Sequence, residues 1–328
     1  MITLLHRGLG HAVDLLLCAS LAVMHRRHAQ RVSTRDAAEN YVAACERQTR
    51  AEHFAPEPME DFRQETPDTI SWRSPAKSGT SFPANGRVRA TLFPARREAP
   101  TVIFLHSLMS VSDTGYRFWA KRFNALGWNA AFVHLPFHYS RRPPGYLYGE
   151  LCCMSDLVLT GDTVRQAVVD IRQLLAYLRL QGSREFGLLG TSYGGWVAAL
   201  VASLEADLRF VALLAPLVNI GGALYEGPTS WTIRTQLARA GLERTLVDRH
   251  AHLSSPLRAP PAGDGAKRTV IIGGTFDRIV PMNDLVALRD AWPGSELVSV
   301  PQAHYGHSMI PRAMAWLRER NLLELNGS

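Results

Sequence analysis

The chain has 328 residues, 46% of them hydrophobic and 20% charged, and its formal net charge is +7. These values are typical of a soluble globular protein with one large domain or two small ones. The basic excess either favours anionic partners or reflects the composition of the host proteome. The sequence has no dense basic run with interleaved aromatic residues, so nothing indicates nucleic-acid binding. The four cysteines form no CxxC pair, which argues against a disulfide framework or a zinc site and favours a reducing compartment.

The amino-terminal residues form a segment of their own. Residues 12–24 are apolar except for Asp14, and this stretch is too short to span a bilayer, which takes about 20 residues. The charge and the lack of a small-x-small motif after it argue against a signal peptide. Residues 1–30 therefore predict an amphipathic helix. Its expected apolar face consists of Leu5, Leu9, Val13, Leu16 and Leu17.

Two interpretations of this helix remain open. Its apolar face packs on the main domain, or residues 1–31 contact a membrane surface with the help of Arg26, Arg27 and Arg31. We accordingly expect a cytoplasmic protein, with a peripheral position at the inner membrane surface under the second interpretation.

Composition divides the whole chain into three segments. A helical extension covers residues 1–53, and residues 54–85, rich in Pro, Ser, Gly and charge, predict an irregular leading segment. Residues 86–328 alternate short apolar runs with amphipathic stretches, which predicts an α/β fold with a mostly parallel sheet and helices on both faces. Residues 221–265 are long for a connection and predict a cap or lid. The expected strands are 86–93, 101–105, 129–134, 186–189, 210–214, 269–272 and 296–300.

A serine lies in a glycine-rich turn between a predicted strand and a predicted helix. Residues 190–194 read Gly-Thr-Ser-Tyr-Gly. The glycines leave room for a sharp turn that lifts the Ser192 hydroxyl above the sheet and aims the helix N-terminus at it. Ser192 is therefore the candidate nucleophile, and the alternative is a Gly-rich turn with an incidental serine.

A serine nucleophile needs a base that an acid orients. Asp277 and His304 each follow a predicted strand, so both lie at the carboxyl ends of strands, where open α/β sheets place their sites. Asp277 has an alternative role as a helix cap, and His307 is an alternative base because it follows Gly306. No third histidine or carboxylate lies at ligand spacing, so we predict no metal site.

Acyl transfer also needs donors for an oxyanion. One donor should be the N–H of Tyr193, directly after the nucleophile, and the other should come from the loop after the strand 101–105. Residues near the strand ends are candidates for substrate contact, with a solvated loop as the alternative for some of them. These candidates are His106, Ser107, His138 and Tyr139.

These motifs resemble the α/β-hydrolase superfamily over about residues 85–320. Within it the chain is similar to the branch of α/β-hydrolase domain-containing protein eighteen. The resemblance implies an α/β-hydrolase fold and an ester hydrolase without a cofactor, and it fixes no substrate. The segments that carry it are 106–109 (His-Ser-Leu-Met), 135–139 (Leu-Pro-Phe-His-Tyr), 155–157 (Ser-Asp-Leu), 190–195 and 292–296 (Trp-Pro-Gly-Ser-Glu).

The resemblance also bears on two site residues. Counting from the 292–296 block, it places the catalytic base on His304 rather than His307. It implies Leu108 as the second oxyanion donor, although Ser107 stands where relatives commonly have glycine, which leaves the loop conformation open.

The combined pattern predicts a serine hydrolase that cleaves a small or lipid carboxylic ester through an acyl-enzyme on Ser192. An acyltransferase with the same triad and a catalytically silent binding protein with this fold are the alternatives. We expect no nucleic-acid partner, and the sequence leaves the oligomeric state open.

Overall fold

The computed structural model describes residues 2–27, 30–75 and 81–325. In this part of the chain nine strands form one sheet. The strands are β1 (Glu60–Thr66), β2 (Thr69–Arg73), β3 (Arg87–Phe93), β4 (Thr101–Leu105), β5 (Asn129–Val133), β6 (Phe186–Thr191), β7 (Leu208–Leu214), β8 (Thr269–Gly274) and β9 (Glu296–Val300).

The helices lie before, between and after these strands. Short 3-10 turns also occur, among them Pro228–Ser230. The α-helices are α1 (Ile2–Arg26), α2 (Arg35–Cys45), α3 (Arg50–His53), α4 (Thr114–Ala125), α5 (Leu157–Leu180), α6 (Tyr193–Ala202), α7 (Ile220–Tyr225), α8 (Trp231–Arg239), α9 (Arg244–Ser254), α10 (Met282–Ala291) and α11 (Met309–Glu319).

The sheet order is β1-β2-β3-β5-β4-β6-β7-β8-β9. From β5 to β9 neighbouring strands are parallel, and the central strands β4 and β7 are buried along their whole length. Successive residues point to opposite faces: Ile103 packs into one hydrophobic core, and Val102 and Phe104 into the other. The predicted α/β fold, a mostly parallel sheet covered on both faces, is confirmed.

The leading segment is not irregular as predicted. Residues 60–73 form the antiparallel hairpin β1–β2, and β2 pairs with β3, so the hairpin extends the sheet at one edge. Every residue of β1 is exposed, and its sequence is mostly charged and polar. Charged residues are the usual protection of an edge strand, which explains why no hydrophobic alternation indicated this strand.

The amino-terminal helix forms as predicted, and of its predicted apolar face Leu17 is half-buried, whereas Val13 and Leu16 were predicted wrongly. Val13 and Leu16 are exposed, whereas the buried face carries Asp14, Leu21 and Met24. The predicted positions Leu5 and Leu9, by their side chains, and residues 1, 28 and 29 lie outside the described part of the chain. No helix among the described residues is long and apolar enough to cross a membrane.

The connection between β7 and β8 folds into helices α7, α8 and α9, and α1 packs against it. The hydroxyl of Thr232 donates to the Ala22 carbonyl oxygen at 3.2 Å, and the Gln236 amide donates to the His25 carbonyl oxygen at 3.4 Å. The amino-terminal helix and this connection therefore lie together at the carboxyl ends of the strands.

A buried ion pair fixes the loop after β5 to α5. Arg141 and Asp170 are 2.8 Å apart, and their side chains are 0% and 1% exposed. Arg141 also donates to the Asn85 carbonyl oxygen, and Asp170 accepts from the Ser74 hydroxyl. Burial raises the pKa of Asp170, although the Arg141 guanidinium opposes this shift. The pair stabilises the fold only as long as both charges are present.

We expect Asp170→Ala to lower the free energy of unfolding by about 3–5 kcal/mol, because the Arg141 charge would remain buried without its partner. Urea denaturation monitored by fluorescence measures this loss. The matched control is Asp113→Ala, which removes a partly exposed ion pair with Arg117 and should cost at most about 1 kcal/mol. Equal losses in the two variants would contradict a structural role for the buried pair.

Candidate active site

Ser192 occupies the sharp turn between β6 and α6. Its backbone has φ 53° and ψ −113°, a conformation that non-glycine residues rarely adopt and that costs about 1–3 kcal/mol. Two hydrogen bonds hold it there: the Ser192 N–H donates to the Leu214 carbonyl oxygen at 2.8 Å, and the Ser192 carbonyl accepts from the Leu217 N–H at 3.2 Å. The serine is therefore fixed from the neighbouring strand.

The glycines around Ser192 are required by close backbone contacts. A Cβ atom on Gly194 would overlap the Leu105 carbonyl oxygen, and one on Gly190 would overlap the Gly194 carbonyl oxygen. A Cβ on Gly195 would come within 2.9 Å of Pro216. Side chains at these positions would push α6 away from β4 and β6 and move the serine hydroxyl.

The structure brings three predicted residues into one chain of hydrogen bonds. His304 Nε2 lies 2.9 Å from Ser192 Oγ, and His304 Nδ1 lies 2.8 Å from Asp277 Oδ2. The side chains of His304 and Asp277 are 3% and 0% exposed. With a hydrogen on Nδ1 directed at the carboxylate, Nε2 is free to accept the serine proton.

Asp277 also holds its own loop. Its second oxygen, Oδ1, accepts the N–H groups of Ile279 and Val280 at 2.8 and 2.9 Å. One oxygen of the carboxylate thus stabilises the turn before α10, and the other contacts His304. The alternative base, His307, is exposed in the following loop.

A further carboxylate, which sequence reasoning did not assign to the site, joins the loops that carry Asp277 and His304. Asp14 of α1 is fully buried. Its oxygens accept the backbone N–H of Arg278 at 3.1 Å and that of His304 at 3.2 Å. Burial raises the pKa of Asp14, and these two backbone donors partly oppose the shift. The available signal was the lone charge in the otherwise apolar stretch of residues 12–24.

A largely apolar cavity opens beside the Ser192 hydroxyl. Its empty space is about 820 Å³, a figure that includes the solvent-filled mouth. Its walls come mainly from α1, from the β7–β8 connection, from α6 and from the loop after β4. The main apolar side chains are Leu17, Leu21, Trp196, Ile220, Leu224 and Ile233.

Both predicted oxyanion donors lie at this cavity. Tyr193 is the first residue of α6, so its N–H is one of those that the helix leaves without an internal partner. Leu108 lines the cavity, and the Tyr305 hydroxyl donates to its carbonyl oxygen at 3.4 Å. Met109, the next residue, has φ 58°. The catalytic role of the two N–H groups stays a prediction.

The prediction of substrate contact is corrected for His106 and His138. Both are fully buried and neither lines the described cavity. His106 Nε2 accepts the Leu135 N–H at 3.1 Å and its Nδ1 donates to the Ser107 carbonyl oxygen at 3.0 Å. His138 Nδ1 donates to the Pro136 carbonyl oxygen at 2.8 Å. Burial lowers the pKa of His138 to about 4 and that of His106 well below the ordinary histidine value, so both rings are neutral. Their hydrogen bonds stabilise the loops after β4 and β5.

Ser107 and Tyr139 are likewise outside the cavity lining. Ser107 is buried, and the Tyr139 hydroxyl is hydrogen bonded to the Ser110 hydroxyl at 2.7 Å. The residues that line the cavity instead come largely from α1 and from the β7–β8 connection. Their positions follow from packing between distant segments, which no local motif encodes.

We expect Asp14→Ala to speed hydrogen exchange at the amides of His304 and Arg278, because each loses its buried acceptor, a change of about 1–3 kcal/mol per group. Hydrogen–deuterium exchange mass spectrometry of the peptides containing these residues measures the effect. Ser20→Ala is the control, since the exposed Ser20 hydroxyl bonds only within α1, to the Leu16 carbonyl oxygen. Unchanged exchange in Asp14→Ala would show that α1 does not hold these loops.

Comparison with known proteins finds one matching family model and a curated relative. Residues 124–251 match the family model described as alpha/beta hydrolase domain containing 18. An uncharacterized protein of Mycobacterium tuberculosis, strains H37Rv and CDC 1551, is 28% identical over 239 residues, which are 69% of this chain and 54% of the relative. The chain therefore spans about half the length of the curated relatives that it matches.

Solved structures with the same fold include two esterases. The acetyl xylan esterase from Paenibacillus sp. R4 superposes with a TM-score of 0.57 at 14% identity, covering 89% of this chain and 98% of that one. Acetyl xylan esterase 1 from Thermoanaerobacterium sp. JW/SL YS485 gives 0.57 at 15% identity, covering 90% and 96%. At this identity the likeness shows the fold. The nine-stranded sheet and these neighbours show an α/β-hydrolase fold, and residues 124–251 are similar to alpha/beta hydrolase domain containing 18.

Proposed function

We propose that the chain is a serine hydrolase that cleaves a carboxylic ester through an acyl-enzyme on Ser192. The observation that carries this proposal is the hydrogen-bonded series Ser192–His304–Asp277, with separations of 2.9 and 2.8 Å, at the wall of an apolar cavity. A base in contact with a nucleophile, and an acid in contact with the base, form the arrangement that activates a serine.

The proposed reaction has two halves. His304 Nε2 takes the Ser192 proton as Oγ attacks the ester carbonyl, and the N–H groups of Tyr193 and Leu108 stabilise the oxyanion. His304 then gives the proton to the leaving alcohol oxygen, which leaves the acyl group on Oγ. In the second half His304 takes a proton from water, the resulting hydroxide attacks the acyl carbon, and the proton returns to Ser192. Asp277 stabilises the imidazolium in both halves.

The cavity indicates which part of the substrate it receives. Its lining is mainly aliphatic and aromatic, so it favours the acyl chain over a charged headgroup. Each methylene of the acyl chain that is buried there contributes roughly 0.8 kcal/mol to binding. The two solved relatives named as acetyl xylan esterases accord with an ester substrate. A cytoplasmic position is part of the proposal, and it is supported by four cysteines that are all free thiols in the structure.

We expect a fluorophosphonate probe to label the wild type stoichiometrically and to leave Ser192→Ala unlabelled. His304→Ala should lower kcat for a soluble ester by about 10⁴-fold or more, because the base is lost. His307→Ala is the matched control and should keep its activity, since His307 is exposed outside the hydrogen-bonded series.

Intact-protein mass spectrometry and a spectrophotometric ester assay measure these outcomes. A folded wild type that is not labelled would overturn the proposal. Loss of activity in His307→Ala with activity kept in His304→Ala would reassign the base. Transfer of the acyl group to an added alcohol in preference to water would identify an acyltransferase instead.

We expect Ala223→Trp to shorten the acyl chains that the enzyme accepts, because Ala223 lines the cavity and an indole would fill it. Activity on octanoyl esters should fall about tenfold or more relative to acetyl esters. Ala238→Trp serves as the control, since Ala238 is exposed on α8. A chain-length profile of kcat/KM for nitrophenyl esters is the measurement, and parallel profiles for the three proteins would place the acyl chain elsewhere.

A further inference from the structure

The outward face of α1 is apolar where a surface helix is usually polar. Over residues 12–26 the exposed positions include Leu15, Leu16 and Val23, whose side chains are 57%, 69% and 60% exposed. The exposed alanines Ala12 and Ala19 lie among them. We call these five residues the α1 outer face.

The opposite face of the same helix is turned toward the active site. It buries the Asp14 carboxylate against the catalytic loops, and Leu17 and Leu21 line the substrate cavity. A helix that only covered a domain would bury its leucines and expose its carboxylate. The arrangement here is reversed at Leu15 and Leu16, so the outer face is suited to an apolar environment outside the domain.

Basic and aromatic side chains lie beside the α1 outer face at its carboxyl end. Arg26 is exposed, and its guanidinium lies 5.7 Å from the ring centroid of Trp231, which is 52% exposed. Arg31 follows and is also exposed, whereas Arg27 forms an ion pair with the buried Glu150 carboxylate at 3.5 Å. An apolar helix face with flanking arginines and a tryptophan is the composition of helices that lie in the interface of an anionic bilayer.

We propose that the α1 outer face docks the protein on an anionic lipid surface. The net charge of +7, with Arg26 and Arg31 near the end of α1, supplies the electrostatic attraction, and the leucines enter the boundary between headgroups and acyl chains. The opposite face of α1 lines the cavity, so docking places the cavity next to a membrane that contains lipid acyl esters. This last step, the substrate class, rests on the proposed esterase function, whereas docking itself does not.

Flotation with vesicles tests docking on the full chain. The wild type should bind vesicles of phosphatidylglycerol and phosphatidylcholine and bind pure phosphatidylcholine more weakly. The double variant Leu15→Glu with Leu16→Glu should bind the anionic vesicles at least about tenfold more weakly, because two carboxylates replace the inserted leucines. Wild type that fails to float, or a double variant that floats equally well, would overturn the proposal.

The matched control is Leu180→Glu. Leu180 is 85% exposed and ends α5 at the amino-terminal edge of the parallel strands, on the side opposite the active site. It should float like the wild type, and equal loss in the control would mean that any added charge weakens binding, which contradicts a specific face.

Ester hydrolysis and oligomeric state, measured on the same proteins, distinguish lipid docking from catalysis and from self-association. The double variant should keep its activity on a water-soluble acetyl ester within about twofold, because neither residue lines the cavity. Loss of vesicle binding with that activity kept supports docking, whereas absence of ester hydrolysis in every protein overturns only the esterase proposal. A wild type that is dimeric by light scattering without lipid, and a monomeric double variant, would assign the α1 outer face to a second copy of this chain and overturn the lipid proposal.

Discussion

Ser192 is held at a positive φ by the carbonyl oxygen of Leu214 on the next strand, and the glycines on either side of it allow β4, β6 and α6 to approach closely. A serine would not keep this backbone in a free peptide, because it costs about 1–3 kcal/mol. The parallel sheet supplies the constraint. The same register places the loops after β8 and β9 beside the serine, so Asp277 and His304 reach it from separate parts of the chain.

The amino-terminal helix is part of this arrangement. Asp14 accepts N–H groups from the loops of both Asp277 and His304, although it lies more than 260 positions before them in the chain. A buried carboxylate with two backbone donors is tolerated, because these donors replace part of its lost hydration. The position of the helix thus has three consequences: it contacts the loops of Asp277 and His304, it forms a wall of the cavity, and it presents apolar side chains outward.

The sequence predicted the features whose signals are local. The parallel strands are short apolar runs, and the order of Ser192, Asp277 and His304, each after a strand, is visible without tertiary information. The hairpin β1–β2 was missed because its exposed edge strand has no apolar alternation. The burial of Asp14 on α1 was not predicted because its partners are distant backbone groups. The sequence predicted His106 as a substrate contact, because its burial depends on packing between two loops that no local motif shows.

The central claim is that an acyl group is carried on Ser192 during turnover. An acid-quenched reaction with a slowly hydrolysed activated ester, followed by peptide mass spectrometry, tests it directly. The mechanism predicts one acyl adduct per chain, on the peptide that contains Ser192, appearing with the burst of alcohol and disappearing as the acid is released. Steady hydrolysis with no adduct on that peptide, or an adduct on another residue that turns over at the rate of the reaction, would contradict it.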